Sequence, residues 1–175
     1  MKNLAFSTLS AVAVLAALST NALAVDTGTI NFNGEVIGQT CEVLPADGTY
    51  NVTLPAVSAA ALSGAGATTE TTAFNIALTN CSSVVGGVYA FFEQGTNVLD
   101  GKLVNNGTAE NIVVELLDSN GSVINAGSTD QAENAATVVV SEGNASLNYS
   151  ARYLATGTVT AGTISTSVTY SIAYL

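Results

Sequence analysis

Residues 28–37 read Gly-Thr-Ile-Asn-Phe-Asn-Gly-Glu-Val-Ile, and the rest of the chain is organised around how that stretch is used. Ile30, Phe32 and Val36 are apolar, Thr29, Asn31, Asn33 and Glu35 are polar, and Gly34 interrupts the apolar series. Successive side chains of a strand point to opposite faces, so this period of two predicts a strand with one face to bury. Taken alone it is the first strand of its own domain. What surrounds it argues for another use.

Residues 1–24 have the form of a secretory signal. Lys2 gives a positive start, residues 4–18 form an apolar core too short for a stop-transfer helix, and Ala22-Leu23-Ala24 is a small-residue cleavage pattern. The mature chain is expected to begin at Val25. Of 175 residues, 48% are hydrophobic and 9% charged, enough apolar matter for one compact domain and too little charge for a disordered chain. Lysine and arginine number 3 against 13 acids, a net charge of −10 that loss of Lys2 makes one unit more negative. Such a chain has no electrostatic footprint for nucleic acid and is repelled by anionic membrane surfaces. No stable membrane insertion is expected once the signal is gone.

Export decides what the cysteines mean. Cys41 and Cys81 are the only two, and an even pair in an oxidising compartment reads as one disulfide. Two cysteines without histidine cannot complete a structural zinc site. Closing a loop of about 40 residues stabilises a fold by roughly 4 kcal/mol in the chain-entropy model.

Beyond residue 40 the pattern is short strands between turn residues. Residues 50–54 alternate weakly before Pro55, and residues 56–73, rich in Ala, Ser, Gly and Thr, form a loop with one short helical turn. Residues 74–79 alternate cleanly, 88–92 are continuously apolar, and Asp100-Gly101 within 99–104 signals a hairpin. Residues 111–117 and 122–125 flank a second hairpin at Asp118-Ser119-Asn120-Gly121, 136–140 and 145–154 flank a turn at 142–144, and 164–175 make a final strand. No window of eleven or more residues in the mature chain has a helical period. An all-β sandwich follows.

Candidate chemistries are thin. Without histidine there is no Ser-His-Asp or Cys-His nucleophile. Glu110 with Glu115, or Glu115 with Asp118, are close enough in sequence to consider as a glycosidase pair, but solvated surface acids are the expectation in so acidic a chain. The segment from Asp118 to Gly121 lacks the remaining ligand spacing of a calcium loop and reads as a hairpin. No enzyme, no cofactor and no metal site is expected.

Val168, Tyr170, Ile172 and Tyr174 alternate with Thr169, Ser171 and Ala173 up to the last residue. A sandwich whose final strand ends this way takes its edge neighbour from earlier in the chain or leaves an edge and a groove for another molecule. Six features occur together in this order: Gly34-Glu35-Val36 in the N-terminal alternation, Cys41 after it, Phe74-Asn75-Ile76-Ala77-Leu78 leading to Cys81, Ser150-Ala151-Arg152-Tyr153, Gly162 fourteenth from the end, and the penultimate Tyr174. With them the mature chain resembles the type 1 fimbrial major subunits, pilins of the bacterial chaperone–usher pathway.

That resemblance implies an incomplete immunoglobulin-like β-sandwich lacking its final strand, which a donor strand from another subunit or a chaperone completes. It implies three parts: a signal peptide at 1–24, a donor-strand extension at 25–38 and the sandwich domain at 39–175. Donor residues would be Ile30, Phe32, Gly34 and Val36. Gly162, Val168, Tyr170, Ile172 and Tyr174 would belong to the acceptor groove and chaperone-binding edge. The implied partners are copies of the chain or related fimbrial subunits, a periplasmic chaperone and an outer-membrane usher. The implied destination, through the periplasm, is a surface fimbria serving adhesion and biofilm formation. A minor adaptor or a subunit contacting a host receptor is the alternative role.

Overall fold

The computed structural model describes residues 28–34, 41–82 and 86–175, and the chain divides into two units, Met1–Val36 and Ile37–Leu175. In the first unit, residues 28–34 form neither helix nor strand, and Ile30 and Phe32 are 78% and 91% exposed. Val36 lies outside the described residues.

The second unit is all-β. Its strands are β1 (Glu42–Leu44), β2 (Thr72–Thr79), β3 (Val88–Phe92), β4 (Val98–Leu99), β5 (Lys102–Val104), β6 (Ile112–Leu117), β7 (Val123–Ile124), β8 (Ala145–Ala155) and β9 (Tyr170–Tyr174). One antiparallel sheet runs β1-β2-β8-β6-β5-β4, with β7 also on β6, and β3 pairs with β9 in a second sheet. The two sheets share one core. Along β8, Leu147, Tyr149, Ala151, Tyr153 and Ala155 are buried in it, as are Ile112, Val114 and Leu116 of β6, because alternate residues of a half-covered strand face one side. Across the gap, the rings of Phe92 on β3 and Tyr149 on β8 meet edge to face with centroids 5.2 Å apart, and the Ala90 N–H donates to Tyr149 Oη at 2.8 Å. Burial of that hydroxyl pushes the Tyr149 pKa up.

Both expected hairpins form. β4 and β5 pair Leu99 with Lys102 across Asp100 and Gly101, whose φ angles of 48° and 75° are the positive pair that a two-residue turn of this twist requires. At the other, Asp118 Oδ1 accepts from the N–H groups of Asn120 and Ser122, both at 2.8 Å, so the aspartate caps its own turn. Cys41 and Cys81 form the disulfide, tying the start of β1 to the end of β2.

Four expectations are corrected. Residues 136–140 form no strand: Val138 makes a single bridge to Val88, and the next stretch of that edge is taken by Gln131 on the short helix α1 (Gln131–Asn134). The Gln131 side chain donates to Phe92 O and accepts from Phe92 N–H, both at 3.0 Å, imitating a neighbouring strand with one amide. Residues 50–54 join no ladder, and only residues 170–174 of the last stretch do. Glu115 and Asp118 are not solvated, being 5% and 7% exposed. Glu115 is held by Arg152 and Lys102, and Asp118 by its hairpin amides.

Candidate functional site

The segments that join no ladder face a common groove of about 1400 Å³. One wall begins where the chain turns after β1, with Gly48 N–H donating to Pro45 O at 2.8 Å. Tyr50 then anchors it: the phenol donates to Leu44 O and accepts from Ala77 N–H, so the ring is fixed to β1 and β2. Past that anchor, residues 51–54 make no main-chain hydrogen bond among the described residues.

Residues 164–169 form the opposite wall. Ser165 O accepts from Asn106 N–H at 2.7 Å, Ser167 O from Asn97 Nδ2 at 3.4 Å, and Thr169 O from Glu93 N–H at 2.8 Å. Carbonyls of an extended segment alternate in direction, so these three use one edge. Ile164, Thr166 and Val168, which address the other edge, make no main-chain hydrogen bond among the described residues. The Thr166 hydroxyl is also buried with no partner among the described residues. Between the walls the floor is core: Ile76, Phe92, Leu103, Val114, Leu116 and Tyr153.

Unpaired main chain on two walls and hydrocarbon beneath is the environment a β-strand fills. Its amides can complete two ladders while alternate side chains enter the apolar floor. At one place the walls are bridged, by Tyr170 Oη donating to Gly48 O at 3.0 Å and by the Tyr50 and Tyr170 rings with centroids 6.2 Å apart. Burial first, then Tyr50 and Asp47, push the Tyr170 pKa up, so the phenol keeps its proton and remains a donor.

Of the five residues assigned from sequence to the receiving edge, Val168, Tyr170 and Ile172 line this groove. Gly162 and Tyr174 are not among its lining residues. Tyr174 pairs with Val88 at the far end of β9. Gly162 serves a close approach, since a Cβ there would lie 2.4 Å from Ala109 N. The sequence reading missed the wall at residues 51–54. Its one signal was the alternation of Tyr50, Val52 and Leu54, in a segment too short and too polar to mark as an edge. Of the residues assigned from sequence to the donor strand, Ile30 and Phe32 offer exposed apolar side chains, and a Cβ on Gly34 would meet nothing within 4 Å.

A family model described as "Fimbrial protein" matches residues 30–174. The chain belongs to the fimbrial protein family. It is 38% identical to the F17 fimbrial protein of Escherichia coli over 170 residues, covering 92% of this chain and 94% of that one. It is 40% identical to the major fimbrial subunit SMF-1 of Stenotrophomonas maltophilia over 171 residues, covering 92% and 99%. A chain from a chaperone–usher pilus shares its fold, with a TM-score of 0.61 and 20% identity over 85% of this chain and 96% of that one. This fimbrial subunit is therefore a structural pilus subunit with the incomplete immunoglobulin-like sandwich, and the adaptor alternative is not favoured.

Proposed function

We propose that this fimbrial subunit polymerises head to tail, the segment at residues 25–38 of one copy entering the groove of the next. The observation that carries the reading is the pairing of two complementary deficits in one chain. Residues 51–54 and Ile164, Thr166 and Val168 present main chain unpaired among the described residues around an apolar floor, while Ile30 and Phe32 present apolar side chains to water. A contact between unlike surfaces of identical copies does not close on itself unless the rotations make a ring, so it propagates as a filament.

Energetics favour the exchange. Burying Ile30, Phe32 and Val36 contributes roughly 4 to 9 kcal/mol at about 1.5 to 3 kcal/mol each, and the ladders add about 1 kcal/mol per hydrogen bond at most. Gly34 fits a place where donor and acceptor backbones approach without room for a side chain. Residues 1–24 are removed on export, and residues 39–175 constitute the receiving domain. A periplasmic chaperone covers the groove beforehand, an outer-membrane usher passes subunits outward, and the fibre at the cell surface serves adhesion and biofilm formation. The role is structural and not catalytic.

A chain lacking residues 25–36 tests this directly. It should still accept a donor and cap a growing fibre, yet donate to none, so multimers containing it stop at one end. Normal polymerisation of the truncated chain alone would sink the proposal.

A further inference from the structure

We propose that the outward face of β5, β6 and β8 is a contact surface for the acidic exterior of a second copy of this chain. The inference rests on the assembly reading above and adds a second, lateral contact to it. Lys102, Glu115 and Arg152 form one row across three strands, with Glu115 opposite Arg152 in the β6–β8 register and Lys102 on the adjoining strand. Their sequence neighbours Leu103, Val114, Leu116, Ala151 and Tyr153 are all in the core, so the row points outward. Arg152 Nη2 and Nε lie 2.6 and 2.8 Å from Glu115 Oε2, and Lys102 Nζ lies 3.4 Å from Oε1.

The distribution of charge over the whole chain makes this row singular. The sequence holds three cations, Lys2, Lys102 and Arg152, and removal of residues 1–24 leaves two. Both stand on this row with one carboxylate between them, a local sum of +1. The acids number 13, so 12 besides Glu115 remain for the rest of the molecule with no cation of their own. Among them Glu42, Asp47, Glu70, Asp100, Glu110 and Glu142 are exposed. Copies of so acidic a chain repel wherever two of those regions meet. Only where this row meets another copy's acids is a lateral contact electrostatically complementary.

Packing on the same face agrees. On one side of the row the outward positions are apolar: Val104, Val113 and Leu154 share the adjacent register line. On the other side Leu117, itself buried, pairs with Ser150 on β8 and with Val123, which is 40% exposed. The solvated face of an antiparallel sheet is ordinarily polar. Here apolar residues flank a charged line whose cations remain 21% and 26% exposed while their shared carboxylate is 6% exposed. A buried acid thus fixes the two cations in place while both side chains stay partly exposed.

Lys102 is the one lysine left after residues 1–24 are removed, so an amine-acetylating reagent reads this surface in the unmodified protein. Acetylation of Lys102 is followed by mass spectrometry in the monomeric subunit and in assembled fibres. The contact predicts protection in fibres of about tenfold if it is populated nine-tenths of the time. Equal rates in both states, with head-to-tail multimers present on an unheated gel, overturn the contact and leave the assembly reading intact. Absence of multimers from the wild-type chain overturns the assembly reading and the contact with it. Protection of the monomer by a sulfated polysaccharide, without protection on assembly, assigns the face to an anionic glycan and overturns the self-contact. Lys102→Gln should lose lateral association in electron micrographs while still forming multimers, and Lys102→Arg should keep it. Retention of lateral association by the glutamine variant counts against the proposal.

Discussion

Replacing Phe32 with alanine tests the proposed donor segment without altering residues 39–175. Phe32 is 91% exposed, so on the proposed insertion nearly all of its ring would pass from water to the groove floor. Transfer alone is worth about 1.5 to 3 kcal/mol. Where a large side chain is cut to alanine in a packed site, the cavity left behind raises the total to about 3 to 5 kcal/mol. The groove is open and its walls are unladdered, so part of that cavity relaxes, and a loss of about 2 to 4 kcal/mol is expected. At about 1.4 kcal/mol per tenfold, fibres should dissociate about 30 to 1,000 times faster. The assay is the appearance of monomer from purified fibres in a fixed concentration of guanidinium, followed by gel electrophoresis without heating. Asn33→Ala, on the opposite face of the same strand, serves as the control and should dissociate at the wild-type rate. Fibres of the Phe32 variant that dissociate no faster than wild type would refute the assignment of this ring to the groove.

Four other outcomes follow from particular contacts. Arg152→Ala leaves buried Glu115 with only Lys102 at 3.4 Å, and should cost about 3 kcal/mol in urea unfolding, part of which Glu115→Gln restores in the same chain. Cys41→Ser opens a disulfide spanning 40 residues, which should remove about 4 kcal/mol and lower the yield of folded subunit in the periplasm. Gly162→Ala forces a Cβ toward Ala109 N, 2.4 Å away, and should lower the melting temperature by the equivalent of about 1 to 3 kcal/mol. Tyr149, Tyr153 and Tyr170 have pKa values raised above 10.0, chiefly by burial. Their neutral forms are favoured by folding, so that contribution is complete below about pH 10 and is lost as pH rises through the higher folded values. Melting temperatures recorded from pH 8 to 12 should fall at the alkaline end, and Tyr153→Phe should shift the fall to higher pH.

Several elements were legible from the chain because their cause is local. β2 and β8 announce themselves by alternation, since each covers one face of a core and the period of a strand is fixed by its backbone. The Asp100-Gly101 hairpin is equally local, because the turn demands two positive φ angles from the residues in it. Glu115 shows the opposite case. Its acid, read beside twelve others, looked like solvated surface, while its partner Arg152 lies 37 residues away and reaches it only through the β6–β8 register.

By itself the sequence determined the class of fold, the pairing of two cysteines and the alternation of apolar and polar residues at 28–37. Those depend on residue period, count and compartment. The groove was decided by tertiary structure alone: residues 51–54 and 164–168 are walls because no strand among the described residues lies beside them, and such an absence is written in no local pattern. The same holds for the edge of β3, closed not by a strand but by the side chain of Gln131. An unpaired main-chain edge is a relation between distant segments, and only the assembled sheets establish it.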